Sequence, residues 1–417
     1  MTIKHLYVHI PFCQSRCAYC DFASEPVAPH ARAGRVEGYL EALRAELATH
    51  IAADRGARAA TDRATRAGAP PAGPVETIYM GGGTPTALPR EALVMLVREL
   101  AALQPCARTG TQVAGSPAEA GAASRAAAGA QEPLRPEFTI EANPGTVDAP
   151  LLERLAGAGV TRLSLGVQSF APALRATLGR RVAQEGIEAA LAAIAETDWQ
   201  EWNLDLLFGI PGQTWREAAV DLDAAVAARP AHVSLYDLTY TAAFQTHVEA
   251  TLGAQARLAA AAFVERHYAD AVARLEKADY LRYEVSNFAL PGHECRHNQA
   301  YWRGEGYLGI GAAAVSTAGG ERRTNPRSVK EYLVGHPPGI EVLSPTTRLW
   351  EKAMLGLRTS EGVEEAAVLP VLDKEARDRL LTQGCLERRC GKLRLNPGFL
   401  DVSNAVISAL LASPEES

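Results

Sequence analysis

Cys13, Cys17 and Cys20 stand within eight residues, in the order Cys13-Gln-Ser-Arg-Cys17-Ala-Tyr-Cys20. Three thiolates on one short loop can each hold one corner of a [4Fe–4S] cubane. The fourth iron then has no cysteine and is open to another ligand. Zinc is the competing reading. Structural zinc sites use C-x2-C pairs and a fourth protein ligand, for which His9 is the candidate. The C-x3-C-x2-C spacing fits those pairings poorly. Three buried cysteines without a metal form the third reading. Seven cysteines, an odd number, in a chain without an apolar leader argue against a disulfide framework. Cys106, Cys385 and Cys390 show no pairing logic and read as structural.

The elements that must position this loop follow from periodicity. Strands are expected at residues 6–10, 75–80, 138–141, 162–167, 201–208 and 232–238. Helices are expected between them, at 36–52, 90–103, 151–158, 184–195 and 215–228. Strict alternation implies a parallel sheet with right-handed crossovers, and six strands imply a partial (β/α)6 barrel in an α/β chain. Chemistry in such folds gathers at the carboxyl ends of the strands. The cysteine loop follows the first strand, and Gly81-Gly82-Gly83 ends the second. Glu141 ends the third, Gln168 ends the fourth, and Asp205 lies on the fifth. Glycine lets backbone approach a ligand closely, although a tight turn alone also explains the triplet.

Beyond residue 240 the pattern changes to a long helix at 257–278, then to aromatic and glycine-rich segments. We expect a barrel at 1–240, an extension at 241–327 and a small, mainly helical C-terminal domain of winged-helix type at 328–417. Residues 52–74 and 107–136, rich in Ala, Arg, Gly and Pro, read as loops or insertions, with a helical turn or two in either as the competing reading. Hydrophobic residues are 47% and the formal charge is −6, which gives no basic footprint for nucleic acid. No apolar run approaches the roughly 18 to 20 residues of a membrane span. A cytoplasmic protein is expected.

Several segments carry a resemblance. The cysteine spacing is that of the radical S-adenosylmethionine (SAM) superfamily. Tyr7-Val-His-Ile-Pro-Phe-Cys13, Gly81-Gly-Gly-Thr-Pro-Thr86, Asn203-Leu-Asp-Leu-Leu-Phe-Gly-Ile-Pro-Gly-Gln-Thr214 and Arg282-Tyr-Glu-Val-Ser-Asn-Phe288 resemble the oxygen-independent coproporphyrinogen III oxidase family. Cys295-Arg-His-Asn-Gln-Ala-Tyr-Trp302 resembles its HemW branch, the haem chaperones. The resemblance implies a [4Fe–4S] cluster on Cys13, Cys17 and Cys20. It places Tyr7, Tyr19, Gly82, Gly83, Thr84, Glu141, Gln168, Arg180 and Asp205 around SAM. It further implies haem as cargo, a haem-accepting protein, an electron donor and contact with membrane proteins, and it permits a homodimer.

For His297 two readings stand. Arg, Glu, Asn and His among Tyr and Trp suit the lining of a tetrapyrrole, with His297 on the iron. Alternatively, His297 and Asn298 hold a loop by hydrogen bonds while Tyr301 and Trp302 pack in a core. The residues alone favour the second, and the resemblance brings the two level, preferring His297 to Cys295 as the iron ligand.

Departures from the family pattern are local. Phe22 stands where the oxidases carry a fourth cysteine, and only twelve residues precede Cys13. Both favour the chaperone branch over the oxidase, which remains the alternative alongside another radical SAM enzyme. Val182 and Val315 replace usual histidines, and Thr239-Tyr-Thr-Ala-Ala-Phe244 lacks the usual Glu-Pro-Gly-Thr.

Overall fold

A computed structural model of the chain describes residues 3–27, 32–64, 75–105 and 136–411. Cys106 and most of the two low-complexity segments lie outside the described residues. Six parallel strands sit side by side in chain order: β1 (His5–Ile10), β2 (Thr77–Gly82), β3 (Glu137–Ala142), β4 (Arg162–Gln168), β5 (Trp202–Phe208) and β6 (His232–Asp237). The crossover helices are α1 (Arg32–Ala64), α2 (Arg90–Ala101), α3 (Ala149–Ala158), α4 (Gln184–Glu196) and α5 (Trp215–Ala228). All but α1 fall within two residues of the expected bounds. The strand Leu308–Ile310 joins the open edge at β1 in parallel, and Asn287–Ala289 joins β6 antiparallel.

Strict two-residue alternation builds the barrel. Leu6, Val8 and Ile10 of β1, Ile78 and Met80 of β2, and Phe138 and Ile140 of β3 belong to the apolar core beneath the helices. The intervening side chains are polar and bond to one another across strands. His5 meets Thr77, Tyr79 meets Glu141, Ser164 meets Asp205, and His232 meets Asn203. The lumen of this barrel is therefore a hydrogen-bonded polar interior, assembled from every second residue of six strands.

One element departs from expectation. Helix α1 runs on to Ala64 through residues expected to form a loop. Ala and Arg are strong helix formers, so the missing apolar period does not exclude a helix.

Near the C-terminus, helices Pro345–Gly356, Lys374–Thr382 and Ser403–Leu410 enclose a second apolar core that gathers residues from Ala353 to Leu410. Its antiparallel sheet orders Val363–Glu364, Lys392–Leu395 and Leu386–Arg389, the last two forming a hairpin. Three helices against such a sheet have the layout of a winged helix. Cys385 packs on this core, whereas Cys390 is exposed in the hairpin turn. The strand Gly339–Val342 pairs with Glu321–Thr324, and Val329 belongs to the barrel core. No described helix is long and apolar enough to cross a membrane.

Candidate functional site

β1 delivers the chain directly into the cysteine loop. The loop returns as a short parallel pair, Phe12–Cys13 against Glu25–Pro26. The glycine turn after β2 backs it: Gly83 N–H donates to the Ile10 carbonyl (2.8 Å) and Thr84 N–H to that of Phe12 (2.8 Å). Thr84 Oγ1 donates to Cys13 Sγ at 3.5 Å, and Arg180 Nη1 points at Cys17 Sγ, 3.8 Å away. Cys20 Sγ lies 3.7 Å from Ser24 Oγ. Asn143 links the two sides. Its Nδ2 donates to Thr84 Oγ1 and its Oδ1 accepts from Arg180 Nη2, both at 2.7 Å. Arg180 also reaches Tyr19 Oη and the Gly166 carbonyl. Two thiols are thus tied through Thr84, Asn143 and Arg180. Asn143 escapes the sequence reading; its position two residues past Glu141, ahead of a proline turn, is the signal that marks it.

The glycines are required by close approach. A Cβ at Gly81 would stand 2.6 Å from the Glu141 carboxyl carbon, and one at Gly83 would stand 2.7 Å from the Ile10 oxygen and 2.9 Å from the Phe12 nitrogen. Backbone cannot give way as a side chain can. Gly83→Ala is therefore expected to push the cysteine loop outward, lowering the melting temperature and iron retention together. Gly145→Ala, which meets nothing within 4 Å, is expected to change neither. Thermal melts and iron assays on the two variants check this.

Glu141 and Asp205 face the lumen at its upper end. Tyr79 Oη donates to Glu141 Oε1 (2.9 Å) and Gly82 N–H to Oε2 (3.0 Å). Asp205 accepts from Ser164 (3.1 Å) and Asn203 (2.7 Å). Burial, then the charge of Asp205, pushes the Glu141 carboxyl up to about 7. Burial also raises Asp205. Two carboxylates that repel one another and form no described salt bridge make a site that favours a cationic, hydrogen-donating guest. Gln168 closes β4 at φ 72°, beside a register shift between β4 and β5, so its backbone holds the left-handed region at the lumen's mouth. Tyr7 stacks on Tyr79 (6.3 Å between centroids) and bonds His9.

His9, the candidate fourth zinc ligand, is engaged at both ring nitrogens, by Tyr7 Oη and the Ala23 carbonyl. Among the described residues no three His, Cys, Asp or Glu side chains converge closely enough for a single metal ion. A cubane is a body rather than a point, and its ligands need only surround it. The donor set fits a cluster: three free thiols on one loop, two held by side chains from other strands' ends. Burial raises the Cys13 and Cys17 thiols, so they are protonated without metal, and metal binding must displace those protons.

The members of the second constellation occupy different places. Arg282 pairs with Asp401 at 2.7 Å, tying the extension to the C-terminal unit. Glu284 is buried and accepts from Ser286 N–H. His297, on the helix Arg296–Trp302, is 1% exposed. Its Nδ1 bonds Thr77 at 2.7 Å, and its backbone N–H donates to Glu137 (2.8 Å). Thr77 and Glu137 begin their strands, so this helix plugs the amino-terminal floor of the barrel. The floor lies roughly 16 Å, five strand residues, from the glycine turn. Hydrogen bonding thus engages one ring nitrogen and the backbone, while Nε2 is buried without a hydrogen-bond partner among the described residues. Burial holds the imidazole down at about 3, so it stays neutral. His297→Ala is expected to cost about 2–4 kcal/mol by opening a cavity while leaving iron uptake unchanged, as read by melting and iron assay.

A partial β/α barrel with a three-thiol loop above its strands defines a radical SAM protein. The Radical SAM superfamily model matches residues 7–225. The chain is 33% identical to the haem chaperone HemW of Synechocystis over 98% of its own length and 97% of the relative's. It is 34% identical to HemW of Mycobacterium tuberculosis, with 97% and 94% covered. Within the radical SAM superfamily, the chain belongs to the HemW family. The solved structure of coproporphyrinogen III oxidase (HemN) from Escherichia coli shares the fold, with a TM-score of 0.72 at 19% identity, over 97% of this chain and 89% of that one. Membership implies a [4Fe–4S] cluster and SAM.

Proposed function

We propose that this protein binds haem and passes it to haem proteins, with a [4Fe–4S] cluster on Cys13, Cys17 and Cys20. The near-complete, end-to-end match to HemW haem chaperones carries the reading. SAM lies against Tyr7, Tyr19, Gly82, Gly83, Thr84, Glu141, Gln168, Arg180 and Asp205. Bound there, cluster and sulfonium supply one-electron chemistry. The chain's own part is binding and orientation. Glu141 and Asp205 attract the cationic ligand, Gly81–Gly83 let backbone approach it, and Arg180 balances the thiolates. The free thiols suit a reducing compartment such as the cytoplasm. An electron donor and a haem acceptor complete the set of partners.

The oxidase reading shares the barrel, but fold alone does not carry activity. Phe22 is 65% exposed. With Val315 it lines a recess of about 340 Å³ beside the cysteine loop. Phe22, which stands where the oxidase pattern has a cysteine, thus faces the site itself. The test is to give the reduced, reconstituted protein coproporphyrinogen III and SAM, and separately to mix its haem-loaded form with an acceptor protein stripped of haem. The proposal expects haem transfer and no decarboxylated product. Product formation without haem transfer overturns it in favour of the oxidase.

A further inference from the structure

We propose that haem docks in the groove between the barrel extension and the helix Pro345–Gly356, with Arg348 and Lys352 gripping its two propionates. The proposal rests on the haem-binding reading above and adds to it the groups that hold the propionates. The groove holds about 710 Å³, open along one side. One wall is aromatic: Tyr301 and Tyr307 meet edge to face, with centroids 4.3 Å apart. The facing wall carries Leu349, Met354 and Leu355. Tyr301 follows His297 by one helical turn on the same face of the plug helix, and the two rings meet edge to face with centroids 4.8 Å apart. The aromatic wall of the groove therefore adjoins the buried histidine.

Charge decides what kind of molecule fits. Of the two acids in the lining, Glu351 pairs with Arg322 (2.6 Å) and Glu305 hydrogen-bonds the His5 ring (3.1 Å). Arg322 also pairs with Glu341, and Arg303 with Glu361. Arg348 and Lys352 are exposed, and no described residue pairs with either. Four residues apart on one helix, they stand about 6 Å from each other at Cβ. A slot with one aromatic wall, one aliphatic wall and two free cations matches a flat apolar plate with two carboxylates on one edge. Haem has that chemistry, and the grip needs no iron ligand.

The test titrates the full-length, cluster-reconstituted protein with haem, following the Soret band. It compares the wild type with R348E, K352E and the double variant, using R98E on α2 as a charge control. The double variant is expected to bind about tenfold or more weakly, because two charge-assisted contacts become repulsive. R98E is expected to match the wild type. Metal-free protoporphyrin IX is expected to compete with haem, and haem dimethyl ester to bind the wild type as weakly as haem binds the double variant. Wild-type affinity in the double variant, or full affinity for the ester, overturns the site while leaving the haem-binding reading intact. No saturable binding by the wild type overturns both.

Discussion

Cys17→Ala is expected to yield a folded protein that retains almost no iron. The residue sits on a half-buried loop and belongs to neither of the large apolar cores, so nothing in the packing depends on its thiol. Its partner Arg180 keeps Asn143, Tyr19 and Gly166. What disappears is one of three protein ligands, and two thiolates do not anchor a cubane. Iron per chain is expected to fall from about four to well below one, with loss of the broad absorbance near 400 nm. Cys13→Ala and Cys20→Ala are expected to behave alike. Cys390→Ala, exposed in a hairpin turn remote from the loop in sequence, is expected to keep the full complement. A wild type that retained one zinc per chain and no iron would instead revive the single-ion reading.

The second large effect concerns Glu141. Its carboxyl is pushed from its ordinary 4.5 to about 7, first by burial and then by Asp205. Between those two values the native, ligand-free protein holds a proton that the unfolded chain has released. Its stability therefore falls as pH rises through that window and levels off above it. The shift corresponds to about 3 kcal/mol. A cationic ligand reverses the preference, because it favours the ionised carboxylate. SAM affinity is thus expected to rise from pH 5 to pH 8 while ligand-free stability declines. Glu141→Gln is expected to flatten both profiles and to weaken SAM binding by about tenfold or more, since a charged partner becomes neutral. Calorimetric titration and melting across that pH range measure both. An unchanged pH slope in the variant would assign the titration to another group.

Much of this was legible in the residues because strand periodicity is local. Leu6, Val8 and Ile10 alternate with His5, Tyr7 and His9, and that pattern alone separates helix-facing core from lumen. The cysteine loop and the glycine turn were legible for the same reason: their chemistry lies in adjacent residues. Other features depend on register and docking. Tyr79 reaches Glu141 only because β2 and β3 pair at that offset. Asn143 matters because the turn after β3 meets both Thr84 and Arg180. The direction of His297 is set by how a seven-residue helix seats against Glu137, which no local pattern encodes. The groove holding Arg348 and Lys352 exists only once two separate cores are brought together.

The most direct test of the whole account is a haem titration of the protein purified without oxygen and carrying its cluster. Saturation near one haem per chain, with a defined Soret band that survives His297→Ala, is the expected result. No saturable binding while the cluster remains spectroscopically intact would contradict the account and leave a radical SAM protein acting on something other than haem.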